Sequence, residues 1–338
     1  MFVIRSFAIA MVFLASASAS AFANDTTAEL GAGGLILSRS DAIVMAKEDL
    51  FISEQQVRVD YVFRNSTEED VETLVAFPMP DIEANPYLNV SIPDGTGDNF
   101  LGFKVSVEGQ PVQPRLEQRA IAVGIDVTDE LRSNGVPLFP YGEAAPQALS
   151  GLPDDIVADW RDRGIIIFDE YDDGSGWKRV PSPFWTLRST YWWPMVFPAG
   201  AEIRVSHSYT PSVGATVGLS FFYGGKFQGD AYRDHKSRYC MDEGFEAAIL
   251  KASRGAPDGF PPLFETWISY ILKTGGNWGG GTIGDFTLTI DKGDPKNLIS
   301  FCGSGVKKIG PTTFQMQATD FYPEKNLDVL ILKRVNQN

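Results

Sequence analysis

Apolar and polar residues alternate along much of the chain. Over 57–64 the odd positions are Val57, Val59, Tyr61 and Phe63; of the even positions only Val62 is apolar. A period of two over this length predicts a strand with one face on a core. Residues 65–70 form a polar turn, and Val71, Thr73, Val75 and Phe77 make the return strand, stopped by Pro78-Met79-Pro80. Further strands are predicted over 103–107, where Glu108-Gly109 turns the chain toward Val112, and over 203–209, 286–290 and 327–335. In the last of these, Val329 and Ile331 face away from Leu330 and Leu332.

Helical signals are fewer. Pro153-Asp154-Asp155 opens one helix with proline first and acids in the first turn; Ile156 and Trp160 share a face, Arg161 and Arg163 sit in the last turn, and Gly164 ends it. Over 242–254, Phe245, Ala248, Ile249 and Ala252 line one face, Gly255 follows and Pro257 blocks continuation. A shorter turn spans 128–134. The pattern predicts a mainly β protein: two antiparallel β-sandwich-like domains with a few short helices. The first domain is placed at 24–213, with a helical insertion around 115–182, and the second at 214–338.

Residues 1–23 have a different pattern. One basic residue, Arg5, precedes an apolar run over 7–15, and Ala21-Phe22-Ala23 before Asn24 fits an A-x-A cleavage site. This reads as a secretory signal peptide cleaved after Ala23; the run is short for a membrane anchor. A periplasmic or secreted protein is expected, with no transmembrane segment in the mature chain, because no later stretch reaches 18 consecutive apolar residues. In an oxidising compartment the two cysteines, Cys240 and Cys302, are expected to form one disulfide. The rival reading is a nucleophilic thiol at Cys302.

Composition narrows the chemistry. The 338 residues are 43% hydrophobic and 12% aromatic, enough for a packed core. Acidic residues outnumber basic ones by 43 to 29, and the net charge of −14 repels phosphate backbones, so no nucleic-acid partner is expected. Two histidines and two cysteines are too few for a His-rich or multi-cysteine metal site, and no cofactor is expected.

Several stretches together are similar to one bacterial family. They are Asn24-Asp25-Thr26-Thr27 and the Gly-rich residues after it, Phe77-Pro78-Met79-Pro80-Asp81-Ile82, Thr190-Tyr191-Trp192-Trp193, Phe197-Pro198-Ala199-Gly200, His207-Ser208-Tyr209-Thr210-Pro211, Tyr270-Ile271-Leu272-Lys273-Thr274-Gly275, Asn277-Trp278 and Phe321-Tyr322-Pro323. The set resembles domain of unknown function 4424 over the whole mature chain. The resemblance implies an exported bacterial protein and supplies no catalytic residues. A weaker likeness of the first part to the VIT domain, the β-sandwich found beside von Willebrand A modules, rests on the Phe-Pro-Met-Pro hairpin, a Glu117-Gln118-Arg119-Ala120 stretch and the strand ending at Tyr209. No Asp-x-Ser-x-Ser motif follows, so the adhesive role of such proteins is not implied.

Candidate chemistry is sparse. Gly279-Gly280-Gly281-Thr282-Ile283-Gly284 satisfies G-x-G-x-x-G, but a strand pattern follows it where a phosphate cradle needs a helix, so a flexible hairpin loop is expected. His207 shares a strand face with Ile203, Val205 and Tyr209, which reads as a half-buried structural histidine; His235 lies in a charged stretch and reads as solvated. Asp169, Asp172 and Asp173 lie in a dense acidic turn, either a weak Ca²⁺ candidate or a solvated turn; the EF-hand register fails there. Trp185, Tyr191, Trp192 and Trp193 lie in a segment over 184–197 with six aromatics in fourteen residues, either a ligand platform for sugars or a protein, or core filling. Tyr191 and Trp193 should face one side and Trp192 the other.

With no catalytic signature, the leading expectation is a non-enzymatic envelope protein that binds a protein or glycan on β-sandwich surfaces. The alternative is a periplasmic glycan-acting hydrolase using a carboxylate pair such as Asp169 and Glu170 or Asp154 and Asp155, although adjacent residues on a strand point to opposite faces. A folding or assembly factor is a third class that the residues neither favour nor oppose.

Overall fold

The computed structural model describes residues 24–31, 34–84, 89–94, 98–254, 256 and 259–335. The expected leader, 1–23, lies outside the described residues, as do Gly255 and Pro257. Over the described residues the protein is mainly β, with five short α-helices. The alternating stretches form strands Val57–Asn65, Val71–Pro78, Lys104–Val107, Glu202–Tyr209, Ile283–Asp291 and Leu327–Arg334. Glu108 and Gly109 both take positive φ, 49° and 75°, in the two-residue turn that sets Val107 opposite Gln110. Helices Thr128–Ser133, Asp154–Asp162 and Glu243–Ser253 stand where their end signals placed them. Asp242 caps the last, accepting from the Phe245 amide at 2.7 Å. Two further helices, Ala144–Ser150 and Gly229–Arg238, were not anticipated. The second buries none of its residues, so it has no apolar stripe for periodicity to reveal.

An eight-stranded sheet runs in the order Lys307–Lys308, Thr313–Phe321, Ile283–Asp291, Ile43–Ile52, Val57–Asn65, Glu202–Tyr209, Lys104–Val107 and Gln110–Val112. Its middle joins chain from either side of 213/214. Ile283–Asp291 lies parallel to Ile43–Ile52, with Leu288 opposite Leu50, so chain from both sides of the boundary shares one sheet. A five-stranded sheet mixes them again, in the order Leu298–Phe301, Leu327–Arg334, Leu263–Tyr270, Val213–Ala215, Asn89–Ser91. Short-range alternation carries no information about which distant strand becomes a neighbour.

A seven-stranded sheet is built around Thr186–Phe197, which pairs with Val71–Pro78 on one side and Arg115–Ala122 on the other. Strand Thr26–Gly31 follows on the outer side of Val71–Pro78. One face of each large sheet meets in the main core, where Phe63, Val205 and Leu288 join Phe77 and Trp193 and also Tyr270 and Ile331. The five-stranded sheet is buried on both faces. Val329 and Ile331 enter the main core, while Leu330 and Leu332 enter a second core with Phe221, Phe222, Phe245 and Ile249, under helices Gly229–Arg238 and Glu243–Ser253. Each fully buried Leu or Ile of this strand contributes roughly 1.5–3 kcal/mol by removal from water.

The glycine run is not a hairpin loop. Gly279–Gly281 is a tight 3₁₀ turn that carries the chain from the five-stranded sheet into the eight-stranded one. A Cβ on Gly279 would lie 2.9 Å from the Asp41 carbonyl and 3.0 Å from Val44 Cγ1, so the run packs on the start of strand Ile43–Ile52. Cys240 and Cys302 form the expected disulfide, and the thiol reading of Cys302 falls with it. The bridge ties the residue just beyond helix Gly229–Arg238 to the end of strand Leu298–Phe301. Among the described residues no helix is long and apolar enough to cross a membrane.

Candidate functional site

Alternation along strand Leu263–Tyr270 divides its side chains between the two cores. Ile268 and Tyr270 point into the main core. Glu265, Trp267 and Ser269 are on the opposite face, beneath helix Gly229–Arg238, and they line a cleft of about 370 Å³. The helix supplies His235 and Arg238, which lie three residues apart and so share one side of it. Asp81 and Glu83 close the rim from the turn after Phe77-Pro78.

The side chains of Glu265, His235 and Arg238 in this cleft already have partners. Glu265 is 1% exposed; its carboxylate takes His235 Nε2 at 2.9 Å and also accepts from the Ser220 amide. His235 Nδ1 lies 2.8 Å from the Ala231 carbonyl, so both ring nitrogens are engaged within the protein. Arg238 donates to Asp328 Oδ1 at 2.7 Å and to Ser269 Oγ at 3.3 Å, and Ser269 donates to the same Asp328 oxygen at 2.6 Å. Burial works against the Arg238 charge, but the hydrogen bond and charge of Asp328 outweigh it and hold the guanidinium above its ordinary value. Burial pushes the Tyr239 hydroxyl up to about 12 and also raises Asp81, against the opposing pull of Arg188. The Trp267 indole packs against Gly214 of the neighbouring strand, where a Cβ would fall 2.1 Å from it, so only glycine leaves it room.

His235 was expected to be solvated; instead its ring is mostly covered, 19% exposed, and paired. Two sequence signals could have revealed the cleft. Leu263, Glu265, Trp267 and Ser269 alternate with Phe264, Thr266, Ile268 and Tyr270, a strand with polar groups on one face. His235 and Arg238 sit at helical spacing.

The aromatic segment is not an open platform. Trp185, Tyr191, Trp192 and Trp193 are all buried. Tyr191 and Trp193 face the main core and Trp192 faces the other way, as the alternation predicted, but hairpin strands Thr26–Gly31 and Gly34–Ser38 bring Ala28, Leu35 and Leu37 over Trp192. The Arg115 guanidinium sits 4.8 Å from the Trp192 ring. The exposed tryptophan is Trp177, 79% accessible beside the acidic turn.

In that turn the carboxylates are occupied. Asp172 Oδ1 accepts from the Gly174 and Gly176 amides, and Asp173 holds Ser175 and Lys178. The Lys178 hydrogen bond, with those of Ser175, holds Asp173 down at about 2. Asp169 lies back along the strand, and among the described residues no three His, Cys, Asp or Glu side chains gather to hold a metal. Glu170 pairs with Arg179, while Asp154 and Asp155 are exposed at the start of helix Asp154–Asp162. Neither proposed carboxylate pair lines the cleft.

A second cluster of titratable groups is sealed inside the main core. Glu48 Oε2 accepts from Asn24 Nδ2 at 3.1 Å and its Oε1 lies 3.5 Å from the Tyr270 hydroxyl; the Tyr61 hydroxyl donates to Asn24 Oδ1. Burial pushes Glu48 up to about 8 against the Asn24 and Tyr270 hydrogen bonds. Burial also raises Asp25, and Glu48 adds to that rise. His207 is fully rather than half buried, ringed by Tyr61, Phe77, Phe103 and Trp193, and burial lowers it to about 3. Its Nε2 is 3.6 Å from Asp25 Oδ2, but a neutral imidazole at that distance makes no ion pair. Asn24, Asp25, His207, Tyr209, Tyr270, Thr274 and Trp278 come from four of the stretches that carry the family resemblance, and they converge here rather than at the cleft.

Fold and site together define a sheet-rich protein with a polar cleft on the helix-covered face of its five-stranded sheet. The chain belongs to the family described as Domain of unknown function (DUF4424), whose pattern matches residues 23–330. No curated protein matches it. Among solved structures it is similar to the crystal structure of a "putative nutrient binding protein" from Legionella pneumophila subsp. pneumophila str. Philadelphia 1, with 16% identity and a TM-score of 0.40, over 87% of this chain and 68% of that one. The likeness of the first part to a VIT domain finds no support in these comparisons.

Proposed function

We propose that this is an exported binding protein of the bacterial envelope and that the cleft between helix Gly229–Arg238 and strand Leu263–Tyr270 takes a small, neutral, hydroxyl-rich ligand such as a glycan fragment. One observation carries the reading: Trp267 lies between Glu265 and Ser269 on one strand face, beneath His235 and Arg238, whose side chains are already held by Glu265 and Asp328. An ionic ligand would have to displace His235 from Glu265 or Arg238 from Asp328. A neutral polyol can hydrogen-bond to the outward lone pairs and N–H groups of those pairs and lay its apolar ring face on the indole. The leader pattern and the Cys240–Cys302 bridge support export into an oxidising compartment. Calorimetry with soluble envelope glycan fragments should give a saturable heat that Trp267→Ala and Ser269→Ala abolish, with melting followed in parallel. Absence of heat, with crosslinking in intact cells trapping a protein on another face, would refute the cleft reading in favour of a protein partner.

A hydrolase is the second reading, and it rests on Asp81. Burial moves this rim carboxyl toward the protonated form that a general acid needs. Release of new reducing ends from a glycan, abolished by Asp81→Asn, would favour it.

A further inference from the structure

Asp25 and Glu48 are two wholly buried carboxyl groups that oppose each other electrostatically. Among the described residues neither pairs with a lysine, an arginine or a charged histidine. Both Asp25 oxygens lack a hydrogen-bond partner. Buried carboxylates without a cation are costly, and proteins do not ordinarily keep two side by side. The other titratable groups facing them are the hydroxyls of Tyr61 and Tyr270, which carry no positive charge.

Asn24 lies within this cluster. It is wholly buried, its side chain bridges Glu48 and Tyr61, and its carbonyl accepts from Thr274 Oγ1 at 2.7 Å. Trp278 Nε1 holds the Asp25 carbonyl at 2.6 Å, and Asn277 Nδ2 reaches Thr26 Oγ1 at 3.0 Å. Asn24, Asp25 and Thr26, leading into strand Thr26–Gly31, are thus clamped by the segment over 274–278. This is also where the leader is expected to be cut. Hydrolysis of the Ala23–Asn24 bond adds water across it, leaving a carboxylate on Ala23 and an amine on Asn24 that takes up a proton.

We propose that the α-ammonium released on Asn24 by leader cleavage is the missing cation of the Asp25–Glu48 cluster, so that the core is completed only after export. The α-nitrogen is a few bonds from an amide already on Glu48 and belongs to the residue that directly precedes Asp25. The uncleaved chain presents a neutral peptide nitrogen there and leaves both carboxyls without a counter-charge. Processing therefore adds a positive charge at the start of the first strand, beside the two buried carboxyls.

This inference rests on the export reading, and the experiment separates the two. The intact mass of the exported protein fixes its first residue: Met1 or any start other than Asn24 sinks the cleavage assignment and this inference with it. With Asn24 confirmed, the native protein is treated with acetic anhydride near neutral pH and mapped by mass spectrometry. The Asn24 amine should acetylate at least 100-fold more slowly than in the unfolded chain; equal rates overturn the inference while leaving export intact. Asp25→Asn supplies a test by sign. It should lower the melting temperature of the processed protein, where it removes a counter-charge, and leave unchanged or raise that of the uncleaved full-length chain, where it relieves an unpaired carboxyl. A shift of the same sign in both forms overturns the inference.

Discussion

Replacing both Cys240 and Cys302 with serine tests how the helix carrying His235 and Arg238 is held over the cleft. The bridge closes a loop with a sequence separation of 62, which in the chain-entropy treatment stabilises the native state by about 4 kcal/mol at 25 °C. With an unfolding entropy of ~2.1 cal/mol/K per residue over roughly 300 folded residues, the melting temperature should fall by about 6 °C. The loss has a local part as well. Cys240 has φ of 52°, a left-handed turn taken just after helix Gly229–Arg238, and the Met241 amide reaches back to the Lys236 carbonyl at 3.2 Å. Without the bridge this helix end should fray first, because none of its residues is buried. Guanidinium unfolding of oxidised protein against the double serine variant gives the global term, and hydrogen exchange over 235–241 gives the local one. A loss below about 1 kcal/mol, or unchanged exchange there, would refute the claim that sulfur anchors the cleft helix.

Other outcomes follow from single contacts. Gly214→Ala puts a methyl into the Trp267 indole and should cost about 1–3 kcal/mol in urea unfolding, with altered tryptophan emission. Phe63→Ala empties a fully buried site against Phe197 and Trp278 and should cost about 3–5 kcal/mol. Trp177→Ala, at an exposed hairpin position, should change stability by no more than about 0.5 kcal/mol. In the full-length chain, Glu48 is raised from 4.5 to about 8, so its folded state favours the proton; stability from this group is full below about 4.5 and falls as pH rises toward 8. His207, lowered from 6.5 to about 3, acts oppositely, its contribution being present above 6.5 and lost as pH falls toward 3. Glu48→Gln should flatten the alkaline limb of a melting-temperature profile and leave the acid limb.

Much of the sheet structure was legible because a buried face imposes a period of two, as at Val57, Val59, Tyr61 and Phe63. The opposite facings of Trp192 and Trp193, and of Leu330 and Leu332 against Val329 and Ile331, were legible for the same reason. What covers each face was not. The second layer over Trp192 comes from a hairpin more than 150 residues away, and no local pattern encodes that contact. The pairing of Ile283–Asp291 with Ile43–Ile52, across 213/214, was hidden on the same ground. The cleft was hidden because helix Gly229–Arg238 packs only Ala231 and Tyr232 on the core, too few for a visible stripe, and because Glu265, in isolation, is an ordinary acidic residue of a strand. The motifs behind the family resemblance drew attention to Asn24, His207, Tyr270 and Trp278, and their chemistry is that of a sealed core.

The most direct test of the cleft uses fluorotryptophan NMR on the protein, with its seven tryptophans labelled and Trp267 assigned through Trp267→Phe. On titration with envelope glycan fragments, the Trp267 resonance should move saturably while those of Trp185 and Trp193, both 1% exposed in the core, stay in place. Saturable binding that leaves Trp267 unmoved, or no binding at all, would contradict the account.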